Sequence, residues 1–347
     1  MFNIGNKVIG DGNSAFIIAE AGVNHNGDIN IAKELVDKAI FAGVDAIKFQ
    51  TFKTEKLVTG YAEMAEYQKD NIGKVESQFN MLKKLELSYE CFIELQQYCI
   101  NKGIMFLSTP FDFESADFLA SMGMEAFKIS SADLTNIPFL EHIARFNKPI
   151  ILSSGMSTLS EIEEAINAIY SLGNEVVAVL HCTSNYPAEL LNVNLNAMNT
   201  IKNAFKIVSG YSDHTEGITI PIAAVAMGGS IIEKHFTLDK NMEGPDHKAS
   251  LSPLELKAMV QEIRNVEMAL GNGIKRYNPS EVDTMKAARK SIVAARDIKA
   301  GENINLVDLD YKRPGTGLSP KFYMEIVGKR ATRDIKMDEQ IALNIVK

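Results

Sequence analysis

Short apolar runs that close in small or polar residues recur along the chain, each followed by a stretch whose apolar positions repeat at helical spacing. Eight such runs stand out: FIIAEAG (16–22), DAIKFQTF (45–52), IMFLSTP (104–110), AFKISS (126–131), PIILSSG (149–155), VVAVLHCT (176–183), IVSGYSDH (207–214) and SIIEKHFT (230–237). They are rich in β-branched residues and apolar on both faces, the pattern of strands buried in a parallel sheet. The segments between them, among them INIAKELVDKAIFAG, SYECFIELQQYCINKG and TLSEIEEAINAIYSLG, are amphipathic. Several open on Ser or Thr and end at Gly, as helices do. Eight strand–helix units in roughly 255 residues predict an α/β fold of the (β/α)8 TIM-barrel type. A doubly wound open sheet is the alternative, but no G-x-G-x-x-G follows the first run.

Two stretches break the rhythm. Residues 53–87 separate the second strand from its helix, where a few residues ordinarily suffice. An insertion of this kind on a barrel is either a lid or oligomer contact on the catalytic face, or a helical decoration. After the last barrel helix, residues 271–287 are polar and punctuated by Gly and Pro, and short strands and turns follow. The expected organisation is a barrel over 1–270, a linker over 271–290 and a small β-rich domain over 291–347, short enough to gain from packing on a partner.

Composition adds exclusions. With 46% hydrophobic and 23% charged residues the chain reads as an ordinary soluble globular protein. The opening MFNIGNKVIGDGNSAF has no basic segment followed by a long apolar run, so no signal peptide is expected, and no apolar stretch approaches the ~18 residues of a membrane span. Cys91, Cys99 and Cys182 are odd in number and show no CxxC spacing, which argues against a disulfide framework or structural zinc and fits a reducing, cytoplasmic setting. A net charge of −8 without a Lys/Arg block argues against a nucleic-acid partner. A small anionic ligand remains compatible, since local lysines and backbone amides can hold one.

In a barrel the active site lies at the C-terminal strand ends. Reading these off collects Glu20, Asn24, His25, Lys48, Gln50, Ser108, Thr109, Lys128, Ser130 and Ser131. The later strands add Ser153, Ser154, His181, Thr183, Ser184, Tyr186, Ser212, His214, Glu233 and His235. The stretch GYSDHTEG sets Ser212, Asp213 and His214 side by side, but alternation along a strand puts Asp213 on the opposite face, so this is no triad. His214 and His235 close neighbouring strands and are placed to share a divalent metal through neutral ring nitrogens, or else are hydrogen-bonded rim histidines. Lys48 and Lys128 lie inside strands, where a charge needs a counter-charge. With Ser131, Ser154 and Ser212 they form either a cradle for phosphate and carboxylate, or ion pairs with Glu20 or Glu233. Asp246 in GPDHKAS reads as a substrate contact or a solvated turn residue, and His142 as structural.

The motifs AEAGVNHNGD, KFQTFK, LSTPFD, KISSAD, LSSGMST, HCTSNYP, GYSDHTEG and EKHFTLDKNMEGPDHKASL resemble, in order and position, the sialic acid synthases, which make nonulosonic acids such as N-acetylneuraminate and legionaminate. The tail SIVAARDIKAGE…YKRPGTGLSP is similar to their C-terminal SAF domain, itself like type III antifreeze proteins. The resemblance implies condensation of phosphoenolpyruvate with an N-acetylmannosamine-type aldose and release of phosphate. It further implies a divalent ion, Mn²⁺ with Mg²⁺ or Co²⁺ as alternatives, on His214 and His235. Lys48, Thr109, Lys128, Ser131, Ser154, Ser184 and Ser212 would hold phosphoenolpyruvate, and Glu20, Glu233 and Asp246 would be catalytic. Gln50, Asn71, Phe111, Asp133, Tyr186 and Asp246 would meet the sugar. A domain-swapped homodimer is implied as well, with Arg313 acting on the partner's sugar.

Two departures concern the sugar. Ala132 and Asp133 stand where many members have Gly-Glu, and Ser184 where some have Asn. Rival readings are another phosphoenolpyruvate-condensing barrel, which would lack the β-rich tail, a non-catalytic carbohydrate- or ice-binding protein, and a degenerate regulatory barrel. The last two leave the strand-end lysines and histidines unexplained.

Overall fold

The computed structural model describes residues 1–65, 68–69 and 77–347. They form two compact units, Met1–Gly271 and Asn272–Lys347. A hairpin of β1 (Phe2–Ile4) and β2 (Lys7–Ile9) opens the first unit. Eight parallel strands follow: β3 (Phe16–Gly22), β4 (Ala46–Thr51), β5 (Met105–Pro110), β6 (Phe127–Ile129), β7 (Ile150–Ser153), β8 (Val177–Cys182), β9 (Val208–Asp213) and β10 (Ile231–His235). Their ladders run β5-β4-β3-β10-β9-β8-β7-β6, and β5 and β6 pack against each other to nearly close the ring. All eight expected strands are present and the barrel is the fold.

Alternation along these strands builds two layers. Ile17, Ala19, Ile47, Phe49, Phe127, Leu152, Val179, Tyr211 and Ile232 point outward and pack beneath the helices. Inside, Phe16, Ile18, Ala46, Leu107, Ala126, Ile151, Ala178, Leu180 and Ile231 fill the lower barrel together with Ile4 and Ile9 of the hairpin. The next inward positions up each strand are Glu20, Lys48, Thr109, Lys128, Ser153, Cys182, Ser212 and Glu233. An apolar floor thus gives way to a polar upper layer within one side-chain period.

The helices are set by their ends. Helix 159–170 starts in a capping box of Thr158 and Glu161, helix 253–270 in one of Ser252 and Glu255 with Pro253 in its first turn, and helix 29–42 stops at Gly43 with φ +81°. The described part of the 53–87 insertion carries short helices at 54–57 and 78–85 and packs Met64, Met81 and Leu85 on Val23 and Phe52. Among the described residues no helix is long and apolar enough to cross a membrane.

The second unit has its own core of Ile292, Ala294, Ile298, Ile304, Ile326, Ile335 and Ile341 around the antiparallel pair β11 (Ser291–Ala294) and β12 (Leu309–Lys312). A short helix, Val282–Ala288, lies within the stretch expected as linker.

Candidate active site

The polar upper layer opens into a cavity of about 460 Å³ at the C-terminal strand ends. Of the residues singled out from sequence, Glu20, Lys48, Gln50, Phe111, Lys128, Ser131, Ser184, Tyr186, Ser212, His214, Glu233 and His235 line it together. They come from seven of the eight strands or the loops after them, so only barrel closure unites them.

The lysines make the ion pairs and also face the cavity. Lys48 Nζ lies 2.6 Å from Glu20 Oε2 and 3.8 Å from Glu233 Oε2, and donates to Thr109 Oγ1 at 2.9 Å. Lys128 Nζ donates to Ser153 Oγ at 2.6 Å and stands 3.6 Å from Glu233 Oε1. Both ammonium groups are buried and face the cavity, so each has a counter-charge and can meet an anion. Burial lowers the pKa of Lys128, against the pull of Glu233.

The two carboxylates are pushed apart. Burial raises Glu20 to about 7 despite Lys48. Burial also works to raise Glu233, but Lys128, Lys48 and the hydrogen bond from Ser212 Oγ at 2.9 Å hold it down at about 2. Glu233 is therefore a fixed anion that organises both lysines, while Glu20 exchanges its proton near neutrality.

His214 and His235 have ring centroids 5.6 Å apart, and the Tyr186 ring packs on His214 at 4.1 Å, tilted by 34°. Burial lowers both imidazoles, His214 to about 4, so they are neutral. His214 Nδ1 donates to Thr183 O at 2.6 Å, which fixes its tautomer and leaves the Nε2 lone pair free to ligate. Nδ1 of His235 is buried without a partner among the described residues, an unmet valence that an exogenous group at this ring would relieve. Among the described residues no three His, Cys, Asp or Glu side chains form a complete cage. Two neutral imidazoles fit a divalent transition-metal ion whose other positions go to water and ligand oxygens.

The GYSDHTEG stretch is no triad: Ser212 bonds Glu233, His214 bonds a backbone carbonyl, and Asp213 turns outward to Lys234 at 2.5 Å. Gly22 sits where this rim is tightest. Its φ of +53° suits glycine, and a Cβ there would approach Gln50 Nε2 and Glu20 Oε1 at 3.2 Å.

Other expected residues lie elsewhere. Thr109 supports Lys48 from behind the cavity wall. Ser154 donates to Leu180 O at 3.0 Å and lines an adjoining cavity of about 690 Å³; the inward hydroxyl on β7 is Ser153, one residue earlier. Asp133 accepts from Asn136 Nδ2 at 3.3 Å and is not in the wall. Asp246 is buried, not solvated, and is also outside the wall. Arg313 belongs to the second unit, where Nε donates to Ala288 O at 3.1 Å, and Asn71 lies outside the described residues. His142 bonds Asp117 at 2.7 Å on a helix.

Ser130 and Ser153 stand among the strand-end residues read from sequence but without an assigned role, and Cys182 does not; all three line the cavity. Strict period-2 counting from Lys128 and Ile151 turns Ser130 and Ser153 inward. Ala65 and Gln78 bring the insertion into the wall as well.

Residues 35–275 match the NeuB family and residues 289–344 match the SAF domain. The chain is 50% identical to N,N'-diacetyllegionaminic acid synthase of Campylobacter jejuni, over 94% of this chain and 98% of that one. It is 47% identical to the synthase of the same name from Legionella pneumophila, over 95% and 94%. The crystal structure of N-acetylneuraminic acid synthetase from Leptospira borgpetersenii superposes with a TM-score of 0.72 at 37% identity, covering 82% of this chain and 94% of that one. With likeness at this level along nearly its whole length, the chain belongs to the NeuB family and carries a C-terminal SAF domain.

Proposed function

We propose that this chain is a nonulosonic acid synthase that condenses phosphoenolpyruvate with 2,4-diacetamido-2,4,6-trideoxymannose, giving N,N'-diacetyllegionaminate and inorganic phosphate. The observation that carries the reading is the meeting, in one cavity, of two buried lysines, a row of hydroxyls and two neutral imidazoles. The half-identity to a legionaminic acid synthase supports reading the diacetamido sugar as the acceptor ahead of N-acetylmannosamine.

Lys48 and Lys128, with Ser131, Ser184 and Ser212, are suited to hold the phosphate and carboxylate of phosphoenolpyruvate by charge-assisted hydrogen bonds. Glu233 keeps both lysines aimed inward. Glu20, with its carboxyl near 7, is the group suited to move a proton as water adds at C2 and the resulting hemiketal phosphate loses phosphate by C–O cleavage. His214 and His235 would hold a divalent ion, Mn²⁺ in the first instance, whose chemistry when bound is to polarise the sugar aldehyde toward C3 of phosphoenolpyruvate. Gln50, Phe111 and Tyr186 line the same cavity and are suited to meet the sugar. Arg313 is assigned to the site of a second copy in a homodimer, on the resemblance alone.

The test is phosphate release from phosphoenolpyruvate with Mn²⁺ present and each acceptor in turn. Preference for the diacetamido sugar is expected. Preference for N-acetylmannosamine would make this a neuraminate synthase, and no release with either would overturn the reading.

A further inference from the structure

The cavity wall between Ser131 and Ser184 is built on a glycine. Gly155 follows β7, and its backbone N–H donates both to Ser131 Oγ at 2.9 Å and to Cys182 Sγ at 3.1 Å. Ser131 Oγ and Cys182 Sγ are themselves 3.1 Å apart. A Cβ on residue 155 would lie 2.2 Å from Ser184 Oγ and 2.9 Å from Ser131 Oγ. Hydroxyls from two different strand ends therefore converge on one bare Cα, against a thiol from the end of β8.

We propose that Gly155 and Cys182 are positioning residues that set the Ser131 and Ser184 hydroxyls for the anionic groups of phosphoenolpyruvate, the Cys182 sulfur being a weak partner that Ser131 gives up when the substrate arrives. This rests on the reading that these hydroxyls hold phosphoenolpyruvate. The Gly155 N–H fixes Ser131 Oγ through one lone pair, and the other contact of that hydroxyl is the sulfur. Whichever of the two donates, a sulfur hydrogen bond is weak. Turning the Ser131 proton to a phosphate or carboxylate oxygen exchanges it for a charge-assisted bond. An oxygen at position 182 would grip Ser131 at full strength and compete with the ligand. Burial raises the Cys182 thiol, so it stays neutral and adds no negative charge beside an incoming anion.

The test is steady-state kinetics of the full-length enzyme with Mn²⁺ and saturating sugar, varying phosphoenolpyruvate. Cys182→Ser is expected to raise KM for phosphoenolpyruvate about tenfold, the equivalent of about 1.4 kcal/mol, with kcat within about twofold. Cys182→Ala removes the competing group, keeps the Gly155–Ser131 bond, and is expected to raise KM less than Cys182→Ser. Gly155→Ala displaces the Ser184 hydroxyl, so its effect on KM should not add to that of Ser184→Ala in the double variant. A Cys182→Ser enzyme with wild-type KM, or one impaired in kcat alone, overturns the inference. Additive Gly155→Ala and Ser184→Ala effects do the same and hold even where Cys182→Ser folds poorly. A wild-type enzyme that releases no phosphate from phosphoenolpyruvate overturns both this inference and the functional reading.

Discussion

Asp213 and Lys234 form an ion pair of 2.5 Å on the outer face of the barrel, with both side chains fully buried, opposite each other in the register of β9 and β10. Asp213 also accepts from Thr215 N and Oγ1, at 3.0 Å each. One residue back on each strand, Ser212 and Glu233 meet on the inner face. Adjacent rungs thus carry a buried ion pair outside and a hydrogen-bonded pair in the cavity wall inside. Breaking a buried pair leaves an uncompensated charge, so Asp213→Ala or Lys234→Met is expected to cost about 3–5 kcal/mol of stability, while the double change Asp213→Leu, Lys234→Met recovers most of it. Urea unfolding measures this. A single variant as stable as wild type would refute the structural role of the pair.

His214→Ala removes one of the two neutral imidazoles and the bond to Thr183 O, but leaves the apolar floor of the barrel untouched. We expect loss of tight Mn²⁺ binding by titration calorimetry and a fall in turnover of orders of magnitude, with an unchanged far-UV spectrum. Near-normal turnover of the variant in metal-free buffer would remove His214 from the ligand set.

Asp246 offers a pH test. Burial pushes its carboxyl from the ordinary 3.8 up to about 6. Because the folded value lies above the unfolded one, the folded state binds this proton more tightly. The site therefore favours folding most at low pH and loses that advantage as pH rises from about 4 to about 6, with no further change above. At ~1.4 kcal/mol per pH unit the whole effect is about 3 kcal/mol. Asp246→Asn is expected to match wild type near pH 4 and to exceed its stability above pH 6. Parallel stability curves for the two proteins across that range would contradict a carboxyl raised by burial here.

Much of this molecule was legible in the chain itself, at particular places. The run FIIAEAG shows a buried strand, and its Glu20 follows Phe16 and Ile18 on the inward face, so an acid at the top of the barrel was readable from alternation. The same parity placed Lys48, Lys128, Ser212, His214, Glu233 and His235 on one rim. On β7 the resemblance assigns Ser154 the ligand role, whereas the inward hydroxyl is Ser153, a distinction that turns on one residue because successive side chains take opposite faces.

Partnership was not legible. Lys48 had two acids to choose from, and only the closed barrel shows it 2.6 Å from Glu20 and 3.8 Å from Glu233. Asp213 had no visible partner until the register set Lys234 beside it, and the loop residue Asp246 read equally as a substrate contact or a solvated turn residue until the packed chain buried it. Periodicity and residue type depend on the local chain, so the sequence by itself determined the strands, their inward faces and the chemistry available at their ends. Which charge neutralises which, and which carboxyl is held low at about 2 or raised to about 7, depends on distances and burial between residues far apart in the chain. The tertiary structure alone decides those, because a charge in a low-dielectric interior takes its properties from the neighbours that closure brings within a few ångströms.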